Sequence, residues 1–292
     1  MTEQDSVVAF IGLGVMGYPM AGHLAAKGYS VRVFNRTEVK AERWTAEHNG
    51  TAHRVPAEAA DGADYVMTCV GNDEDLESVV LGRDGVFAGM KKGATLIDHT
   101  TTSAIIAQKL SEEAAGHGFG FIDAPVSGGQ AGAENGALTI MVGSTEKSFQ
   151  ACETVLESYG KTIIRMGEIG AGQLTKMVNQ ICIAGLVQGL SEGLNFAKRA
   201  GIDPKLAAKV MSGGAAQSWQ MDNRAETMVD GEFEFGFAVD WMRKDLGICI
   251  EEASRNGAKL PITEIIDKYY AEVQTKGGNR YDTSSLILNL ED

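Results

Sequence analysis

The chain has no excess of positive charge. With 26 Lys and Arg against 39 Asp and Glu, its formal net charge is -13, which excludes a protein that grips nucleic acid through a clustered basic surface. An anionic ligand is still allowed, because backbone N–H groups and a few cations bind one locally. Cysteine is scarce. The four, Cys69, Cys152, Cys182 and Cys249, are widely spaced with no C-x-x-C pair, so a reduced, cytoplasmic chain is the expectation rather than a disulfide framework. The five histidines show no H-x-x-x-H spacing and no accompanying Cys or acidic cluster, and no metal is expected. No apolar run approaches the ~18 residues of a membrane span; the stretch Ile181–Val187 ends at Gln188. The start, Met1–Ser6, is polar and acidic, unlike the basic, then apolar, opening of a secretion signal. No membrane partner and no nucleic acid are expected.

Glycine is what the chain has in excess: 36 residues, about 12% against a usual ~7%. These glycines are scattered through patterned sequence, which points to tight turns and close approaches of backbone to a ligand. The 292 residues suit one large or two modest domains. In the first half, short apolar runs read as strands: Val7–Ile11, Ser30–Phe34, Tyr65–Val70, Thr95–Asp98, Phe119–Ile122, Leu138–Val142 and a last one at Ile163–Met166. Between them Val15–Lys27, Thr37–His48, Leu76–Leu81, Ser103–His117 and Thr145–Tyr159 read as helices. Such alternation predicts a parallel sheet covered on both faces. From Gly170 to Arg199 no strand is evident, and a long, largely buried helix is expected, with Gly185, Gly189 and Gly193 allowing close packing on neighbouring helices. Asp203 and Pro204 then cap and open another helix, and Ala238–Asn256 and Pro261–Lys276 are also helical in period. The expected boundary is near residue 166: a sheet domain over 1–166, then an all-α domain over 167–292 led by the long helix.

Val7–Ile11 runs straight into Gly12-Leu13-Gly14-Val15-Met16-Gly17 and then a helix. This is the Rossmann-type fingerprint for a dinucleotide. Gly12 makes the tight turn, Gly14 admits the pyrophosphate, and Gly17 lets helix pack on strand, with the phosphates at the helix N-terminus. The end of the second strand reports on the cofactor. An NAD site carries an acid there for the ribose 2′-hydroxyl; this chain has Asn35-Arg36-Thr37, which favours NADP over NAD. A solvated Arg36 stacking on adenine is the other reading.

Two further segments carry chemistry. Asp123-Ala124-Pro125-Val126-Ser127-Gly128-Gly129 follows a strand and forms a stiff bend exposing N–H groups and a hydroxyl, suited to a carboxylate or carbonyl oxygen. Gly170–Gln180 opens the long helix and places Lys176 on the side of Asn179 and Gln180. With Leu174, Met177, Val178 and Ile181 apolar around it, a lysine is costly unless it has a function. Lysine normally titrates near ~10.4, and a sheltered site lowers that towards the ~7–8 useful in acid–base catalysis.

Those motifs, with Lys244-Asp245-Leu246 near the end, together resemble the β-hydroxyacid dehydrogenases, a family that includes 3-hydroxyisobutyrate dehydrogenase, tartronate semialdehyde reductase and glyoxylate/succinic semialdehyde reductases. The resemblance spans nearly the whole chain. It implies that Gly12, Leu13, Gly14, Val15, Met16 and Gly17 hold the pyrophosphate and that Asn35, Arg36 and Thr37 hold the adenosine ribose. It places Thr101 near the nicotinamide ribose and Ser127, Gly128 and Gly129 on the substrate carboxylate or hydroxyl. Lys176 becomes the catalytic lysine and Lys244 a cofactor contact. A homodimer or homotetramer acting on a small hydroxy acid is implied as well.

Three departures matter. Many relatives carry Asn four residues after the lysine, where this chain has Gln180 preceded by Asn179; either amide can orient substrate. Thr100 replaces a usual serine, and Phe237–Lys244 differs from the commoner relatives, which leaves the particular hydroxy acid undefined. Trp219 and Trp241 read as core packing, with lining of a pocket as the other reading. An imine reductase-like enzyme shares this fold and cofactor but usually lacks the lysine, and a non-catalytic nucleotide-binding scaffold is the reading from outside enzymology.

Overall fold

Strand β1 (Val7–Ile11) lies inside the sheet, between β2 (Ser30–Phe34) and β4 (Tyr65–Thr68), parallel to both. Its side chains alternate between two apolar layers, as the period of two requires. Val8 and Phe10 pack with Met20, Leu24, Val31 and Trp44, whereas Ala9 and Ile11 pack with Val66, Leu76, Leu96 and Leu110. The computed structural model describes residues 6–290, so the polar start Met1–Ser6 lies outside the described residues apart from Ser6.

The sheet order is β3-β2-β1-β4-β5-β6-β8-β7, with β9 beside β8. Here β3 is Thr51–Ala52, β5 Thr95–Asp98, β6 Gly120–Asp123, β7 Val126–Ser127, β8 Leu138–Gly143 and β9 Gly160–Gly167. Helices α1 (Gly17–Ala26), α2 (Glu38–Glu47), α3 (Pro56–Ala60), α4 (Asp73–Leu81), α5 (Val86–Gly89) and α6 (Ala104–His117) make the crossovers between the parallel strands. The sheet is parallel up to β6. There the chain turns back: β8 runs antiparallel to β6, meeting it at Asp123 and Gly143, and also antiparallel to β7. The segment expected to be a bend holds β7 and the start of α7 (Gly129–Glu134), and α8 (Glu146–Leu156) joins β8 to β9.

From here the chain is helical, with α9 (Ala171–Arg199), α10 (Pro204–Met211), α11 (Trp219–Asp230), α12 (Val239–Asn256), α13 (Pro261–Thr275) and a closing 3-10 turn at Thr283–Asn289. By backbone proximity the chain divides after Lys176, so the first turns of α9 belong to the sheet unit. In the second unit one core gathers Ala184, Val187, Met242, Leu246, Ile266 and Tyr270. Another gathers Leu190, Leu194, Met221, Ala225 and Met228. Asp203 caps α10 as expected, its carboxylate accepting from the N–H groups of Lys205 and Leu206.

Two expectations fail here. Helix α9 is amphipathic rather than largely buried, with Leu186 and Phe196 exposed. A side chain added at Gly185, Gly189 or Gly193 would meet nothing, so these glycines do not serve close packing within the chain. Trp219 and Trp241 are also exposed rather than in the core. Each ring carries a guanidinium over it, from Arg224 and Arg280 respectively, which spares the aromatic face from water.

Candidate active site

At the end of β1, Gly12 adopts a φ of 100°, a region that costs any other residue strain. A Cβ there would also run into the Cys69 carbonyl oxygen, and one at Gly17 would run into the Gly12 carbonyl oxygen. Gly14 differs: a Cβ at that position would meet nothing within 4 Å, so the loop has an open side. Helix α1 then starts with no side-chain cap and no acidic residue in its first turn. Its backbone N–H pole is therefore suited to an anion, and the residues present fit a dinucleotide pyrophosphate.

Asn35 has a local task that the sequence did not disclose. Its Oδ1 accepts the Leu13 N–H at 2.9 Å, and its Nδ2 donates to the Thr37 carbonyl at 2.9 Å, tying the glycine loop to the end of β2. Arg36 is exposed and pairs with Asp75 of α4 at 3.2 Å. Thr37 precedes α2 without capping it through its side chain.

Deeper in the sheet, polar groups cluster where β5 and β6 end. Asp98 Oδ1 accepts from the Thr68 hydroxyl at 2.7 Å and from the Thr100 N–H at 3.0 Å. Its Oδ2 is buried with no hydrogen-bond partner. Burial pushes the Asp98 carboxyl up to about 7 and the neighbouring His99 down to about 4, because each charged form is poorly solvated there. The His99 ring lies 2.6 Å from the Ala124 carbonyl through Nδ1 and 2.8 Å from the Tyr159 hydroxyl through Nε2. Those partners select the tautomer in which Nδ1 donates and Nε2 accepts.

Asp123, fully buried at the end of β6, accepts from the N–H groups of Gly170 at 2.7 Å and Gln173 at 2.9 Å. Burial raises its carboxyl to about 6 against the lowering effect of those bonds. Gln173, also fully buried, donates through Nε2 to the Thr100 carbonyl at 2.7 Å and accepts the Thr102 N–H at 3.0 Å. Neither Asp123 nor Gln173 stands out in the sequence as a functional residue, although both lie in the Asp123–Gly129 and Gly170–Gln180 segments. The available signal was a lone acid closing the apolar strand Phe121-Ile122-Asp123.

Lys176 follows one turn later and is 8% exposed. Its buried stripe is largely polar: Gln173, Lys176 and Gln180 are buried together with Met177, whereas Leu174 and Val178 are exposed. The apolar surroundings expected from the sequence therefore lie partly on the opposite face. Lys176 does share its side with Gln180, and Asn179 is half-buried beside it. In the helical unit Gln180 Nε2 donates to Asp245 at 2.6 Å, and its Oε1 accepts from Asn179 at 2.7 Å. Asp245, buried and missed in the sequence, also pairs with Lys244 at 2.8 Å. Ser127 ends β7 half-buried, and Gly128 and Gly129 follow at φ 128° and 62°, a backbone that no bulkier pair adopts readily. Thr101 is half-buried between the buried Thr100 and Thr102.

Residues 7–167 match the NAD binding domain of 6-phosphogluconate dehydrogenase, and residues 170–290 match the NAD-binding domain of NADP-dependent 3-hydroxyisobutyrate dehydrogenase. An uncharacterised oxidoreductase of Shewanella frigidimarina is 56% identical, covering 97% of this chain and 98% of its own. The 2-hydroxy-3-oxopropionate reductase of Escherichia coli is 32% identical over 97% of both chains. The solved 3-hydroxyisobutyrate dehydrogenase of Mycobacterium tuberculosis, described with L-serine, superposes with a TM-score of 0.88 at 29% identity, covering 98% of this chain and 99% of that one. The chain belongs to the β-hydroxyacid dehydrogenase family of NAD(P)-dependent oxidoreductases.

Proposed function

We propose that the chain oxidises and reduces a small 3-hydroxy acid and its aldehyde acid, preferring NADP(H) to NAD(H), with Lys176 as the proton-transfer residue. The observation that carries this reading is a buried lysine one turn into a helix whose start is pinned to the ends of β5 and β6. The names of the relatives, which specify 3-hydroxyisobutyrate and 2-hydroxy-3-oxopropionate, support the substrate class, and L-serine is a further member of it. Residues 1–166 bind the dinucleotide in this reading, and residues 167–292 serve substrate and subunit packing.

The bound nicotinamide supplies or accepts the hydride. Gly12 to Gly17 hold the pyrophosphate, Asn35, Arg36 and Thr37 the adenosine ribose, Thr101 the nicotinamide ribose, and Lys244 contacts the cofactor. Ser127, Gly128 and Gly129 hold the substrate carboxylate. Lys176 removes the hydroxyl proton in oxidation and returns it in reduction, a contribution of typically ~10²–10⁴ in rate. Asn179 and Gln180 serve substrate orientation as a linked pair, Asn179 donating to the Gln180 side-chain carbonyl oxygen while the Gln180 amide donates to Asp245. Arg36 supplies the preference for a 2′-phosphate through a charge-assisted contact. The enzyme works in the cytoplasm as a homodimer or homotetramer; among the described residues no helix is long and apolar enough to cross a membrane.

The test is a screen of NADP+ and NAD+ reduction with L-serine, 3-hydroxyisobutyrate, 3-hydroxypropionate and glycerate. Turnover on the order of 1 s⁻¹ or faster with at least one of them is expected. No turnover with any, together with reduction of a cyclic imine, contradicts the reading.

A further inference from the structure

Three segments proposed to serve the reaction are far apart in sequence: the Thr100–Thr102 turn, the end of β6 and the start of α9. Hydrogen bonds join them at one residue, Gln173, whose backbone N–H donates to Asp123 at the end of β6. The Gln173 amide donates to the Thr100 carbonyl and accepts the Thr102 N–H. Those two groups belong to the peptide units on either side of Thr101. Thr101 is thus bracketed by one buried amide, three residues before Lys176 on the same buried stripe of α9.

We propose that Gln173 is a positioning residue that sets the distance between Lys176 and Thr101, and hence between the proton-transfer group and the nicotinamide end of the cofactor. This rests on the acid–base reading of Lys176 and on the cofactor reading of Thr101. Capping the helix does not require the Gln173 side chain, because Asp123 already accepts from the N–H groups of Gly170 and Gln173. An amide donates and accepts side by side without charge at any pH, and that is what a carbonyl and an N–H flanking one residue demand. Neither bond is replaceable by water, since Gln173 and Thr102 are fully buried.

The other end of the link is equally fixed. Thr100 donates its N–H to Asp98 and accepts the Val70 N–H at its hydroxyl, so the turn has little freedom except at Thr101. On the helix side Gly172 presses against Asp123, whose Oδ2 would lie 2.8 Å from a Cβ added there. A displacement of about 1 Å between reacting groups costs up to ~10²-fold in rate, so a link of this rigidity matters to turnover more than to binding.

The test uses Gln173→Leu, which removes both bonds at similar volume, and Gln173→Glu, which keeps the acceptor but sets a second carboxylate oxygen against the Thr100 carbonyl. For Gln173→Leu, kcat falls about 10- to 100-fold while KM for the hydroxy acid stays within about 3-fold. NADPH binding weakens several-fold, and binding of adenosine 2′,5′-bisphosphate, which carries the adenine end alone, is unchanged. In Gln173→Glu the protonated acid restores the donor, so kcat relative to wild type is highest at low pH and falls as pH rises. Asp98 and Asp123 disfavour a further negative charge there, and Lys176 one turn along α9 opposes them; the buried site, closed to water, keeps the acid protonated at low pH. A folded Gln173→Leu with kcat within two-fold of wild type overturns the proposal. So does a Gln173→Glu profile parallel to wild type, or equal weakening of NADPH and the bisphosphate. Lys176→Ala with undiminished turnover sinks the acid–base reading instead; the two-ligand comparison judges the link without reference to Lys176.

Discussion

Asp98 and His99 are adjacent at the end of β5, and burial moves them in opposite directions, to about 7 and about 4. In the unfolded chain they titrate near the ordinary 3.8 and 6.5. The folded protein therefore keeps the Asp98 proton longer, and this group's contribution to stability declines as pH rises from about 4 to about 7. His99 keeps its neutral form longer, so its contribution is full above about 6.5 and is lost as pH falls towards about 4. The two oppose each other over that window. Removing one exposes the other: the stability of Asp98→Asn relative to wild type should improve by on the order of 4 kcal/mol between about pH 4 and pH 8. Urea unfolding at both pH values measures it, and a pH-independent difference contradicts the buried-acid account.

The same scale decides the cofactor. Arg36 and Asp75 form an exposed pair worth under ~1 kcal/mol, yet its carboxylate competes with a 2′-phosphate for the guanidinium. Asp75→Asn should tighten NADPH by roughly 3-fold and leave NADH unchanged. Arg36→Ala should abolish the NADPH preference. An Asp at position 35 is a less clean test, because its second oxygen would face the Thr37 carbonyl that Asn35 now donates to. Equal binding of NADH and NADPH by wild type would mean that Arg36 is a solvated residue.

At the scale of elements, the β1–glycine loop–α1 unit separates two functions of glycine. Gly14→Ala has room for its methyl group, whereas Gly17→Ala drives one into the Gly12 carbonyl. The expected outcome is an unchanged urea midpoint with weaker dinucleotide binding for Gly14→Ala, and a loss of about 1–3 kcal/mol of stability for Gly17→Ala. The reverse pattern contradicts the assignment of the open side. This unit was legible in sequence because every cue in it is local: an apolar run, spaced glycines and a helix start. The start of α10 was legible for the same reason, through Asp203 and Pro204. Strands β3 and β7 and helices α3, α5 and α7 span two to six residues, too few to express a period. Helix α11 was missed although Met221, Ala225 and Met228 are spaced for one buried face and Ser218 caps it; two buried methionines and an alanine are a faint stripe in a helix otherwise mostly polar. The Gln173 link was illegible for another reason, since its partners lie 71 and 73 positions away.

At the scale of the whole molecule, the net charge of -13 and an exposed apolar and glycine edge on α9 pull in different directions. Leu186 and Phe196 are exposed there, and Gly185 and Gly189 line a surface groove with Met211, Ala216 and Met221. If that edge packs against a second copy, wild type sediments as a dimer or larger species at micromolar concentration. Gly189→Trp, whose Cβ meets nothing within 4 Å in the single chain, then dissociates it. A wild-type monomer contradicts subunit packing through α9 and leaves the chemistry untouched.

If Lys176 carries the proton, its removal slows turnover and spares cofactor binding. The most direct measurement is kcat for Lys176→Ala beside its Kd for NADPH, using whichever hydroxy acid the screen identifies. A fall of at least ~10²-fold in kcat is expected, with NADPH bound about as tightly as by wild type. A folded variant that keeps more than half of the wild-type turnover contradicts it.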